Sequence, residues 1–168
     1  MVLPHVAKLL AMSRLEAFGN QLVQFHISLR ELLEDLRDQV EAGEPVSVGG
    51  LDLRAHCLSF CQAVTSHHTG EDDGAFPVLA EHYPELRPVL AELKRDHYLV
   101  ASALRRIEVL DQLEPSAREQ ELATVAALLE THFTYEERKL LDAFNALTGL
   151  TPADHYRLAL PFRRTGSG

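Results

Sequence analysis

The chain has 168 residues, 46% hydrophobic and 24% charged, which suits one globular domain with a sizeable apolar core. Its net charge of -9 is spread along the chain without a basic patch, which argues against nucleic acid or an anionic membrane surface as a partner. No apolar run is long enough to span a bilayer, and the opening MVLPHVAKLLAM is short, contains Pro4 and lacks the features of a secretory signal, so a cytoplasmic location is expected.

The first periodic segment runs from about Ser13 to Glu41, with Leu15, Leu22, His26, Leu29, Leu33 and Leu36 at steps of three, four or seven. Residues 1–12 are expected to form an N-terminal extension. Gly43, Pro45, Gly49 and Gly50 then mark a surface loop. The second seam reads Leu53, Cys57, Phe60, Val64, His67 and Glu71, and continues from apolar residues straight into two polar ones. Gly70 and Gly74 follow, where a close approach of backbones or of a ligand needs small residues.

Beyond Phe76 and Pro77 another helical turn or two is expected before Tyr83 and Pro84. The third seam is Leu86, Leu90, Leu93, His97, Val100, Leu104 and Ile107. Ser116 with Glu119 has the pattern of a capping box. It opens a fourth segment whose stripe carries Leu122, Val125, Leu129, His132, Glu136 and Leu140 and which ends near Gly149. Thr151, Pro152 and Asp154 suggest a short capped turn, followed by a frayed tail. The expected fold is all-α, an up-down-up-down four-helix bundle over residues 13–149, with 150–168 a short turn and tail.

Each long segment thus places a histidine on its apolar stripe, and His67 and His132 each have a glutamate four residues on, at Glu71 and Glu136. That spacing sets histidine and carboxylate one turn apart on one face, roughly 6 Å along the axis. Neutral imidazoles and carboxylates able to bridge two cations make a donor set for a two-metal site, about two nitrogens and two oxygens per ion. Octahedral ions so held keep open positions for water, dioxygen or peroxide. A lone histidine on an apolar face is more often a hydrogen-bonded core residue. The glutamates shift the balance, because a buried carboxylate costs several kcal/mol unless paired or bound to a cation.

Other residues fall off this pattern. His68 lies about 100° around the helix from His67 and is expected to face a neighbour or solvent. Tyr135, three residues after His132, reaches toward the same cavity, though core packing is the commoner role for an aromatic. Asp72, Asp73 and Glu137 read as a solvated face. Cys57 and Cys61 lack the pairing pattern of a secreted disulfide framework and read as reduced core thiols.

The order His26, HHTGE from His67, RDHYLV around His97 and HFTYEE from His132 resembles the hemerythrin-like, HHE cation-binding family over nearly the whole chain. FCQAVTSHH and HHTGEDDGAFP look most like its bacterial, actinobacterial members. The resemblance implies a non-haem di-iron centre with His26, His67, His97 and His132 as terminal ligands and Glu71 and Glu136 as bridges. The chain departs from the dioxygen-carrying hemerythrins in two places. Those resemble a third helix with two histidines four apart, where His97 is flanked by Leu93 and Ala101, and they carry HxxxxD where this chain has HxxxE. With one nitrogen missing, the resemblance implies a position open to solvent or to a side chain such as Tyr135, and argues against stable oxygen carriage.

The activity so implied is catalase-like decomposition of hydrogen peroxide, with Tyr135 or His68 moving the proton. The alternatives are a non-catalytic binder or sensor of dioxygen, nitric oxide or iron, and a zinc-filled structural bundle. No output domain accompanies the bundle, which favours a stand-alone enzyme or store over a signalling receptor.

Overall fold

The computed structural model describes residues 17–43 and 53–163. The N-terminal extension, the first turn from Ser13, most of the glycine and proline loop and the last five residues lie outside the described residues. The elements are α1 (Ala17–Glu41), α2 (Leu53–Gly70), a π-helical turn (Glu71–Ala75), α3 (Phe76–His82), α4 (Arg87–Ile107), α5 (Pro115–Ala146) and α6 (Pro152–Ala159), with single 3-10 turns at Pro84–Leu86, Leu110–Gln112 and Leu160–Phe162. Among the described residues there is no strand, and no helix is long and apolar enough to cross a membrane.

The helices α1, α2, α4 and α5 form a closed ring in which each borders its neighbour in sequence and α5 returns to α1. Their directions follow from two apolar clusters. One gathers Leu29 to Leu36 from the later part of α1, Cys57 to Val64 from the start of α2, Val100 to Ile107 from the end of α4 and Leu122 to Phe133 from the start of α5. The other gathers Phe18 and Leu22, Ala75 to Leu79, Leu90 and Leu93, and Leu140 and Phe144, the opposite ends of the same four rods. Alternating direction is the only way both sets can form, so the bundle runs up-down-up-down. The polar residues of the four stripes fall between the two clusters.

Three local features depart from the sequence expectation. Helix α5 begins at Pro115 with Glu114 as a cap lacking any side-chain bond, so the Ser116–Glu119 capping box does not form. Pro115 is already suited to the first helical position, having no N–H to orphan, and Arg118 binds the Leu113 and Asp111 carbonyls instead. Helix α2 does not end at Gly70 but widens into the π turn at Glu71, just ahead of Pro77, which donates no backbone N–H. Finally, the chain beyond 150 is a packed helix with a complete Thr151–Asp154 capping box, not only a turn and tail.

That last segment lies against the π turn so closely that two residues have no room for a side chain. A Cβ at Gly70 would sit 2.6 Å from the Leu160 carbonyl carbon, and one at Gly74 would sit 2.4 Å from the Arg157 carbonyl oxygen. Both glycines therefore serve backbone approach. Cys57 and Cys61 are free and buried in the first cluster, where burial first of all pushes both thiols up to about 12. The thiol of Cys61 donates to the Leu104 carbonyl at 3.6 Å.

Candidate metal centre

The structure brings all six stripe residues together in the dry interior: His26, His67, Glu71 and Glu136 are fully buried, His132 is 2% exposed and His97 5%. Their Nε2 atoms and carboxylates converge. Glu71 places Oε1 3.1 Å from His67 Nε2 and Oε2 3.3 Å from His97 Nε2, so one carboxylate spans two helices. Oε2 of Glu136 lies 3.3 Å from His26 Nε2 and 3.7 Å from His132 Nε2. Two sets of donors result, each with its atoms within 4.8 Å of one another: His26, His67, Glu71 and Glu136, and His68, Glu71, His97 and His132.

Three of the four outward ring nitrogens are hydrogen-bonded. His26 Nδ1 pairs with Glu137 at 2.8 Å, His97 Nδ1 with Asp72 at 2.8 Å, and His67 Nδ1 donates to the Pro161 carbonyl at 3.0 Å. Asp96 lies 3.6 Å from His132 Nδ1, within ion-pair range though beyond a hydrogen bond. Each backing group comes from a different helix than the ring it holds, so the contacts pass around the bundle. Such partners fix the tautomer and turn the other nitrogen's lone pair inward.

The consequence is decisive for what the cavity can hold. A carbonyl only accepts, so neutral His67 carries its proton on Nδ1 and points a lone pair from Nε2 at the Nε2 of His26, 3.1 Å away. His97, with Nδ1 donating to Asp72, likewise turns a lone pair toward a carboxylate oxygen. Lone pairs facing lone pairs and carboxylates repel unless a shared proton, such as one on His26 Nε2, or a metal cation lies between them. The orphaned atoms mark the same space: both oxygens of Glu71 and of Glu136, and Nε2 of His68, His97 and His132, are buried without a hydrogen-bond partner among the described residues.

The proton affinities follow the same pull. Burial opposes charge on His26, but Glu136 and Glu137 outweigh it and raise its pKa. Burial, then the charge of His26, pushes His67 down to about 3. Glu71 is held well above the usual carboxylate range, first by burial and then by the negative charge of Glu136. Glu136 goes the other way, since its contacts with His26 and the charge of His132 outweigh burial. The two glutamates divide one proton between them, as close buried carboxylates do.

Sequence reasoning missed several groups and misplaced one. His68 is buried, 6% exposed, and of the two alternatives, neighbour or solvent, it takes the neighbour, stacked flat on His97. The signal was available, because α2 carries a single charged residue, Arg54, and a helix so poor in charge is covered on most sides. Asp72 and Glu137 back two of the histidines and are not merely a solvated face. Tyr135 is not brought to the centre, and its hydroxyl donates to Glu92 at 2.6 Å while its ring packs at the edge of the second cluster.

An antiparallel four-helix bundle with imidazoles and two spanning glutamates sealed at mid-height defines a histidine–carboxylate metal-binding protein. The sequence model of the hemerythrin HHE cation-binding domain matches residues 18–144, and the chain belongs to that family. No curated protein and no solved structure matches the chain.

Proposed function

We propose that this chain holds two iron ions, with His26, His67, His97 and His132 as terminal ligands and Glu71 and Glu136 as bridges, and that it decomposes hydrogen peroxide to dioxygen and water in the cytoplasm. The observation that carries the two-ion reading is the pair of inward lone-pair sets, one on His26 and His67 and one on His97 and His132, each facing oxygens of Glu71 and Glu136. Iron rests on the family and on the donor chemistry, imidazole with carboxylate.

Paired iron supplies two-electron redox chemistry and exchangeable positions for a small oxygen ligand. The chain's own residues do the rest. Glu137, Asp72 and the Pro161 carbonyl hold three of the four rings in orientation, and Asp96 lies 3.6 Å from Nδ1 of the fourth, His132. Phe133, stacked on His26 at 4.0 Å, and Phe25, stacked on His67 at 4.8 Å, keep water from that side. Asp96 is 41% exposed at its side chain and stands beside His132, placed to pass protons between solvent and the centre.

A second reading, a non-catalytic binder or sensor of dioxygen, nitric oxide or iron, is favoured by Tyr135, since the phenol expected as proton donor is engaged with Glu92. One experiment on one sample separates the two. Two irons per chain with rapid oxygen release from added peroxide supports the enzyme. Two irons without release supports the binder, and zinc or no stoichiometric iron rejects both.

A further inference from the structure

His68 has a buried Nε2 without a hydrogen-bond partner among the described residues, and one of its ring nitrogens lies within 4.8 Å of donor atoms of Glu71, His97 and His132. Distance alone would make it a fifth nitrogen ligand. Ring geometry argues against that. His68 lies flat on His97, with centroids 3.9 Å apart and planes inclined by 10°, while His132 stands edge-on to it at 4.9 Å and 80°. His97 donates from Nδ1 to Asp72 and so directs its Nε2 lone pair within its own ring plane. That lone pair therefore runs nearly parallel to the His68 ring, roughly one stacking distance, about 3.5 Å, outside its plane. Both rings cannot offer in-plane lone pairs to one ion while they remain stacked. A polar atom at that offset suits contact with a small ligand carried by the ion.

We propose that His68 is the ligand-recognising residue of the centre, its Nε2 hydrogen-bonding a small oxygen or nitrogen ligand such as peroxide, dioxygen or azide on the His97 and His132 half. The assignment rests on the two-ion centre proposed above. A neutral imidazole has one N–H and one lone pair with which to donate or accept. Among the described residues, the first donor set, His26, His67, Glu71 and Glu136, has no fifth imidazole placed as His68 is.

The test uses the full chain reconstituted with ferrous iron, and reads iron per chain and azide affinity by optical titration. His68→Phe keeps a flat ring on His97 and removes the nitrogens, His68→Leu serves where a phenyl ring is not accommodated, and His68→Gln returns a hydrogen-bonding group. The expected result is wild-type iron content throughout, azide bound about ten-fold more weakly by the apolar variants, the worth of one hydrogen bond, and partial recovery in His68→Gln. Loss of one iron from a folded apolar variant would make His68 a ligand and overturn the proposal, as would equal azide affinity in every variant. A wild-type chain that takes up no iron would bring down the centre itself, an outcome distinct from either.

Discussion

On one side of the centre, His26 and His67 are wholly enclosed, stacked on Phe133 and Phe25 and backed by Glu137 and a backbone carbonyl. On the other, His97 is backed by Asp72 and His132 lies beside Asp96, with side chains 20% and 41% exposed against 23% for Glu137, so that Asp96 is the most exposed of the acidic neighbours. The same residue types are thus set in two different surroundings. A carbonyl orients an imidazole without adding charge, whereas a carboxylate also raises the basicity of the ring and draws cations toward it. In the two-ion reading proposed above, the half beside Asp96, the most exposed of these acidic neighbours, is the one that would exchange with solvent.

Removing the shared element should break the comparison altogether. Glu71 reaches both halves, so Glu71→Ala is expected to lower metal affinity by more than about 100-fold, beyond the ~10–100-fold typical of a backing residue. The metal-dependent rise in thermal midpoint should vanish with it, because binding energy here is also folding energy. Retention of two ions by both Glu71→Ala and Glu136→Ala would refute the ligand set.

Asp72→Ala and Glu137→Ala separate the halves. Each is expected to weaken one ion by about 10–100-fold and spare the other, seen as two-phase release to a chelator. The Asp72 variant should release the His97 and His132 ion first, and simultaneous release of both ions would mean that the halves are not distinct. Gly70→Ala strikes the enclosed half from behind, since its Cβ meets the backbone of Leu160 and Pro161. A loss of about 1–3 kcal/mol in denaturant stability is expected from the overpacking, and an unchanged midpoint would show that α6 is only loosely held. Thr151→Ala removes one bond of the capping box of α6 and should cost ~1 kcal/mol. It should leave the exchangeable half untouched, as the release kinetics of that ion would report.

Much of this was legible in the chain because both the fold and the donors obey one period. The heptad-like stripes placed His26, His67, His97 and His132 inward for the same reason that Leu22, Val64, Leu93 and Leu129 are inward, and all six expected donors do meet. Groups whose partner lies on another helix were not legible. Asp72 reaches His97, Asp96 approaches His132 and Glu137 reaches His26, each an acidic residue next to a stripe position and so indistinguishable in sequence from a solvated charge. Tyr135 shows the converse error, since its spacing from His132 suited the cavity while its hydroxyl found Glu92 on the neighbouring helix.

The sequence by itself determined four amphipathic helices, their order and the inward turn of six polar side chains, because helical phase is a local property set by a repeat of 3.6 residues. Only the tertiary structure decided which ring nitrogen faces inward, that His68 lies flat on His97, and that the turn after the last helix delivers a carbonyl to His67. These depend on a second or third element arriving at a particular distance, and no periodicity within one helix carries that information.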